Sequence, residues 1–502
     1  MVDLRPDQFA TVRAILQAEV PELEVWAFGS RAKWTAKDSS DLDLALVSAE
    51  RIPLSKLGKV REVFEDSYLP LKVDVVDIHR VSDEFRKIIE AQRVVIQKPI
   101  APKNGQSGRA HWQTMPLENC IETIIDYRGK TPTKVSSGIP LITAKVVKGG
   151  RIETPDEFIA EEDYDGWMRR GIPRTGDVLL TMEAPLGEVA QLDDRKVALA
   201  QRLVALRGKS DLLDNDFLKF LLQSSLVQDQ LKSRATGTTV LGIKQSELRK
   251  ITLALPPMDE QRGIATVLRA LDDKIENNRQ INETMEALAQ TIFKSRFVDA
   301  AATKLPKGWR TGTLGEVTEN PRRGIQPEEI KSSTPYIGLE HMPRRCIALS
   351  EWGHADELES NKFEFERGEI LFGKLRPYFH KVGVAPVDGV CSTDILVVCP
   401  KAPEWFGFVL GHVSSIELVN HTNAASTGTK MPRANWNDIA RFDVALPPES
   451  VAAEFTGLIR PMIDRIIANI HESRTLAELR NALLPKLLSG ELRIKETVHP
   501  PN

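Results

Sequence analysis

Two aspartates one residue apart, Asp41 and Asp43, and a third, Asp74, in a Val-Asp-Val-Val run are the side chains best suited to chemistry. In an extended strand alternate residues share a face, so Asp41 and Asp43 set two carboxylates side by side. Like charges that close are unfavourable unless a cation sits between them. Hard divalent ions such as Mg²⁺ take carboxylate oxygens together with substrate phosphates. Asp74 adds a third carboxylate if its strand pairs with the first. Upstream, Gly29-Ser30 at a strand-to-helix turn offers backbone N–H groups and a hydroxyl to a phosphate.

The elements that would position these groups can be followed along the first hundred residues. Phe9, Val12 and Leu16 mark an amphipathic helix, and residues 23–28 (LEVWAF) read as a strand running into Gly29. Residues 41–46 form a second strand by their alternation, and Leu57, Val60 and Phe64 a second helix. Residues 72–76 then supply a third strand, followed by a helix whose apolar side carries Phe85, Ile88 and Ile89. The pattern predicts a small α/β unit.

Gly29-Ser30-Arg31, Ser40-Asp41-Leu42-Asp43 and Asp74 together resemble the minimal nucleotidyltransferases of the polymerase-β superfamily over residues 1–98. The resemblance implies transfer of a nucleoside monophosphate from a nucleoside triphosphate with Mg²⁺. Gly29 and Ser30 would hold the triphosphate, Asp41 and Asp43 the metal, and Asp74 the metal and the attacking group. A two-metal clamp of that kind stabilises both attacking and leaving oxygens. The family usually carries a second glycine shortly after Gly-Ser, where this chain has Lys33-Trp34. Family members modify small molecules or partner proteins in toxin–antitoxin pairs, and the acceptor is not written in the chain.

At 502 residues the chain is long enough for several domains, and a net charge of −3 confines any nucleic-acid surface to local patches. The cysteines Cys120, Cys346, Cys391 and Cys399 are too scattered for a disulfide framework or a paired metal-ligand spacing. With no apolar run of membrane-spanning length and no apolar signal core, a reduced cytoplasm and no membrane role are expected. The histidines show no metal-ligand spacing.

Residues 259–300 read as one long helix. Ile264, Leu268, Leu271, Ile275, Met285, Ala289 and Ile292 recur in steps of four and three, with Asn278 and Asn282 at the intervening seam positions. Adding 191 to each position lands on a second stripe from Phe455 to Leu483, where the polar pair returns as Asn469 and Ser473. A polar seam residue lowers stability while specifying register, so these four residues are expected to set the register of two mutually paired helices. Arg480, opposite Ala289 in the repeat, suits a contact with a partner subunit or a snorkelling side chain. Pro461 is expected to kink the second helix or mark its true start.

The same offset relates residues 236–251 to 427–442 and Ala254-Leu255-Pro256-Pro257 to Ala445-Leu446-Pro447-Pro448. Gly176-Asp177-Val178-Leu179-Leu180 matches residues 368–372 at 192. A period near 190 is a domain duplication, and an antiparallel helix pair would set two related domains at opposite ends with pseudo-two-fold symmetry. The expected organisation is a unit at 1–98, a Pro/Gly-rich linker at 99–111, globular domains at 112–256 and 305–447, and helices at 257–304 and 448–495. The fold class is thus multidomain: a small α/β domain, then two α+β domains separated by long coiled-coil helices.

The two Leu-Pro-Pro segments with their helices, the Gly-Thr loops and the Leu-Leu-Ser-Gly-Glu-Leu end resemble the specificity subunit of a type I restriction–modification enzyme over about residues 112–495. The resemblance implies two target-recognition domains reading the halves of a split site in double-stranded DNA, helices that set the gap, and docking of two modification (methyltransferase) subunits and of restriction subunits. S-adenosylmethionine and ATP would then belong to partner subunits. Candidate DNA contacts are Lys130, Lys145 and Lys148 in the first domain, and Arg322, Arg323, Arg344, Arg345, Lys374 and Lys430 in the second. Base readout is expected from 130–170 and 320–365, where the repeat diverges. Two other arrangements fit the same residues. In one, a nucleotidyltransferase uses the duplicated domains as a targeting scaffold; in the other, the N-terminal domain is vestigial.

Overall fold

The computed structural model describes residues 2–98 and 112–494, apart from 22, 38, 39, 49, 50, 66, 68, 70, 128, 130, 238, 239, 357, 359 and 427–430. The expected linker at 99–111, with Lys130 and Lys430, lies outside the described residues. There are two compact units, one of the N-terminal residues to Trp112 with Ser489–Arg493, the other built on Gln113–Leu488.

In the first unit α1 (Pro6–Glu19) precedes β1 (Glu24–Phe28), the short α2 (Gly29–Ala32), β2 (Leu42–Val47), α3 (Leu54–Glu65), β3 (Val73–Asp77), α4 (Asp83–Gln92) and β4 (Val94–Gln97). The sheet order is β3-β2-β1-β4, with β2 and β3 parallel and the other neighbours antiparallel. Leu42, Leu44 and Leu46 point to the face covered by α1 and α3, where Val12, Leu16, Val60 and Phe64 are buried. Ala45 points to the other face, with Phe28, Ile78 and Ile89. Two features differ from the expectation. Strand β4 was not anticipated, and Phe85 and Ile88 are 40% and 47% exposed, because α4 covers a patch so small that Ile89 alone is buried on it.

The second unit shows the duplication directly. In each half an antiparallel four-stranded sheet has the same order: 186–191, 178–182, 203–208, 121–126 in the first, and 382–384, 370–373, 395–400, 318–319 in the second. A second sheet repeats a parallel pair, Ile139–Ile142 with Ala198–Leu199 and Pro335–Ile337 with Gly389–Cys391. That sheet has three strands in the first half and five in the second. The strand before each Leu-Pro-Pro pairs with one that opens its own domain, Thr252–Leu255 with Gln113–Pro116 and Asp443–Leu446 with Arg310–Thr313.

The long helices run Met258–Phe293 and Glu449–Ser489. Each starts where a proline pair ends, since proline sets an extended entry and cannot continue a helix backwards. Asp259 and Glu260 place negative charge on the first turn of the first helix, where the dipole favours it. The second helix begins at Glu449 and continues past Pro461, so the proline does not mark its start; the residue is on the exposed side, where the carbonyl it leaves unbonded can take water. Gly490, at φ +72°, turns the chain out of the helix.

The helices are antiparallel. Asp272 meets Arg480, Asn278 meets Ser473, Asn282 meets Asn469, and Arg296 meets Glu454, so one index rises as the other falls. The first domain packs on the start of the first helix through Asn215–Gln223, and the second domain on its end, where Phe293 and Phe297 join Phe408 and Phe455. The two domains therefore lie toward opposite ends of the pair.

Candidate functional site

In the first unit, the parallel pairing of β2 with β3 sets Asp43 directly beside Asp74. Asp41 stands one residue before β2 begins, exposed, rather than inside the strand. It is still close enough for its charge to act on Asp43, whose carboxyl is held above the ordinary carboxylate range by burial first, then by Asp74 and Asp41, with Lys72 opposing. Asp74 is ion-paired to Lys72 at 2.7 Å. The crowding around Asp43 is what a divalent cation would relieve, and the donors are the hard oxygens such an ion takes. Among the described residues no three His, Cys, Asp or Glu side chains converge as a ready-made metal cluster. As the chain stands, the Lys72 ammonium supplies the positive charge at Asp74.

Gly29 opens α2 opposite Asp43, at φ +76°, and a Cβ there would lie 2.3 Å from Asp43 Oδ2. Glycine is required by both the backbone and the close approach. Ser30 follows on α2, its carbonyl accepting the Thr35 N–H at 3.0 Å. Arg31, given no role by the sequence reading, is buried; its guanidinium donates to the carbonyls of Ser40 (2.9 Å) and Asp3 (3.0 Å), tying down the turn that delivers Asp41. A basic residue at the end of a Gly-Ser turn was the available signal. Trp34, where the family usually has glycine, takes the left-handed conformation that a glycine would favour (φ +60°) and is 63% exposed. Asp77, three residues further along β3, is a structural carboxylate accepting the N–H groups of Ile52 and His79.

In the second unit the four polar seam residues meet at the centre of the helix pair. Asn469 Nδ2 donates to Asn282 Oδ1 at 2.8 Å, and Asn278 Nδ2 donates to Ser473 Oγ at 3.3 Å and Glu472 Oε2 at 2.8 Å. Under the 191-residue offset these two contacts are each other's image, so the pseudo-dyad passes between them. Arg480 is paired with Asp272 at 2.7 Å, and Asp272 also holds Lys219 of the first domain at 2.8 Å. Glu286, also unanticipated, is buried and takes the Ile347 N–H on both carboxylate oxygens, at 2.9 and 3.0 Å. Burial pushes its carboxyl up to about 7.

The described DNA-contact candidates divide by surroundings. Lys145 and Lys148 are exposed, Lys145 reaching Glu157 at 3.7 Å. Arg322 is exposed at φ +46°, whereas Arg323 is engaged inside its domain by Glu366 and Glu369. Arg344 lies over the Phe379 ring at 4.0 Å, Arg345 is exposed at φ +53°, and Lys374 is half-buried at the base of the nearby hairpin. Arg344 and Arg345 thus both lie against the 377–380 turn of the second domain.

Comparison with known proteins follows the same division. A model of the type I restriction modification DNA specificity domain matches residues 112–287, and one of the polymerase beta nucleotidyltransferases matches residues 11–99. The MjaIX specificity subunit of Methanocaldococcus jannaschii, a type I restriction enzyme subunit, is 28% identical over 402 residues, covering 73% of this chain and 91% of that protein. The Haemophilus influenzae protein described as "Probable protein adenylyltransferase MntA" is 44% identical over 97 residues, 19% of this chain and 85% of that one. The S subunit structure from M. genitalium aligns with 77% of this chain and 97% of its own at a TM-score of 0.47 and 14% identity.

Proposed function

The chain belongs to the specificity subunits of type I restriction–modification enzymes and carries an N-terminal domain of the polymerase-β nucleotidyltransferase family, and from that premise we propose that it reads a split site in double-stranded DNA while the appended domain transfers a nucleotide to a protein hydroxyl. The observation that carries the DNA reading is the antiparallel helix pair with its central polar contacts. About 21 residues separate Asp272, where the first domain grips the first helix, from Phe293, where the second does, which is ~32 Å of helix. Half-sites one turn of B-DNA apart lie ~34 Å from each other. Asn278, Asn282, Asn469 and Ser473 hold the helix register, and so the gap. Lys145, Lys148, Arg322, Arg344, Arg345 and Lys374, with Lys130 and Lys430, are the basic side chains offered to DNA. Arg323 supports its loop from within. Modification and restriction subunits, which bring S-adenosylmethionine and ATP, complete the enzyme.

For the N-terminal domain, the adenylyltransferase relative favours ATP as donor and AMP as the group moved. Asp41, Asp43 and Asp74 would hold Mg²⁺, which supplies charge neutralisation at the phosphates when bound. Gly29 lets the backbone approach Asp43, and the Gly29-Ser30 turn presents N–H and hydroxyl donors to the triphosphate. Asp74 would accept the proton of the attacking hydroxyl as its oxygen bonds to the α-phosphorus of ATP and the bond to the β-phosphate oxygen breaks, releasing pyrophosphate, and Lys72, ion-paired with Asp74, would compete with a cation held there.

The test uses the full chain reconstituted with its modification subunits. Methylation-site sequencing is expected to return a two-part motif with a set gap, and it should survive deletion of residues 1–104. Incubation with Mg²⁺ and labelled ATP is expected to label a protein in wild type and not in Asp41→Asn/Asp43→Asn. A continuous motif would defeat the split-site reading, and equal inertness of wild type and mutant the transferase reading.

A further inference from the structure

The repeated hairpin of the two domains carries left-handed residues in both copies, with different side chains on them. In the first domain Val178–Met182 returns as Leu186–Gln191, with Ala184 (φ +51°) in the turn and Gly187 (φ +93°) at the start of the returning strand in the left-handed region. In the second, Ile370–Gly373 returns as Val382–Val384 through Arg376 (φ +53°) and His380 (φ +51°). Both turns are clamped alike by the segment after the shared Thr-Gly-Thr, Ile243 N–H on Met182 O at 3.0 Å and Ala434 N–H on Lys374 O at 2.9 Å.

Left-handed backbone suits glycine and strains any residue with a Cβ, and strain of this kind gathers at functional sites. The first hairpin has alanine and glycine at its left-handed positions, whereas the second has an arginine and a histidine at its own. The turn's own bonds do not need the arginine side chain. Phe379 N–H donates to Arg376 O at 2.9 Å, His380 N–H to Pro377 O at 2.8 Å, Arg376 N–H to Pro432 O at 2.8 Å, and Arg345 N–H to His380 O at 2.8 Å, all through the main chain. The Arg376 guanidinium lies 6.0 Å from the Phe379 ring that Arg344 covers from 4.0 Å, and its buried Nε has no hydrogen-bond partner. Among the described residues no carboxylate pairs with Arg344, Arg345 or Arg376. Tyr378, beside it, is 49% exposed.

We propose that Arg376 reads a base: its planar fork donates to O6 and N7 of a guanine in the half-site met by the second domain. This rests on the DNA-reading function above and names a residue outside the stretches where the repeat diverges most. A guanidinium held on a rigid turn against an aromatic ring is preorganised for a two-bond contact, the commonest specific contact in the major groove. Domains that read different half-sites must differ where they touch bases, and here Arg376 stands at the left-handed turn position that Ala184 takes in the other copy of the hairpin. A phosphate contact would need no such difference.

The experiment maps methylated sites, and measures binding to duplexes changed one base pair at a time, for the full chain with its modification subunits. Arg376→Ala is expected to weaken the cognate duplex by roughly 5- to 150-fold. It should abolish discrimination at one G·C pair of one half-site, with the other half-site and the gap retained. Arg376→Gly suits φ +53° and should melt at or above the wild-type temperature while losing the same discrimination, which separates readout from folding. A uniform fall in affinity for every duplex, with the motif unchanged, would mean a phosphate contact and overturn the assignment, as would an unchanged motif and affinity. A wild-type motif that is not split would instead count against the DNA-reading function itself.

Discussion

Removing the Asp272 carboxylate should destabilise the second unit more than any surface charge can. Asp272 is shared by Lys219 from the first domain and Arg480 from the second long helix, at 2.8 and 2.7 Å, and the three side chains are only 12%, 14% and 24% exposed for Lys219, Asp272 and Arg480. Asp272→Ala leaves two partly buried cations facing each other without a counter-charge. Breaking a fully buried pair costs about 3–5 kcal/mol, and the residual exposure discounts this to about 2–4 kcal/mol. The duplication supplies the control. Under the 191-residue offset the triad corresponds to Leu410, Ile463 and Ala289, which are buried together in the apolar cluster of the second domain. The triple change Lys219→Leu, Asp272→Ile, Arg480→Ala copies that arrangement and should return to within about 1 kcal/mol of wild type, because apolar residues of matching volume replace buried ion pairs at little cost. Urea unfolding of the three proteins, followed by circular dichroism and by Trp fluorescence, gives the free energies. A loss below about 0.5 kcal/mol for Asp272→Ala would mark the triad as an ordinary exposed pair and refute the argument. A triple variant no better than the single would refute it equally, since uncompensated charge could not then be the cause.

Glu286 should make stability depend on pH. Burial raises its folded carboxyl from the ordinary value of 4.5 to about 7, so between these values the folded state holds a proton that the unfolded state has lost, and stability falls as pH rises from about 4.5 to about 7, then levels. The total is on the order of 3 kcal/mol; Glu286→Gln should flatten this part of the profile, and an unchanged slope in thermal melts from pH 5 to 8 would contradict it. Gly29→Ala places a Cβ 2.3 Å from Asp43 Oδ2 at φ +76° and should lower nucleotide transfer by about 100-fold with methylation untouched. Transfer at the wild-type rate would show that the approach of Gly29 to Asp43 is not needed.

The helix pair was legible from spacing alone, because a seam is a local property of each helix and the polar interruptions recur at one offset. Even there the stripe is wider than the seam: Glu286, Ile463 and Ile467 are buried because the second domain covers a flank that no helix period announces. In the N-terminal domain, alternation put Asp43 on the correct face, and pairing of β2 with β3 brought Asp74 beside it. Asp41 fell outside the strand, where its relation to Asp43 depends on a turn held by Arg31 and not on the pleat.

From the order of residues alone came the duplication, the helices that carry the seam, and the aspartates of the first unit, since each leaves a periodic or short-range trace in the chain. Folding decided the rest. Which charges are buried, as with Lys219, Asp272 and Arg480, depends on segments hundreds of residues apart reaching one place. Which residue is strained, as with Arg376, depends on a backbone that its own side chain does not prefer. Burial and strain are set by neighbours in space, and the linear chain does not name them.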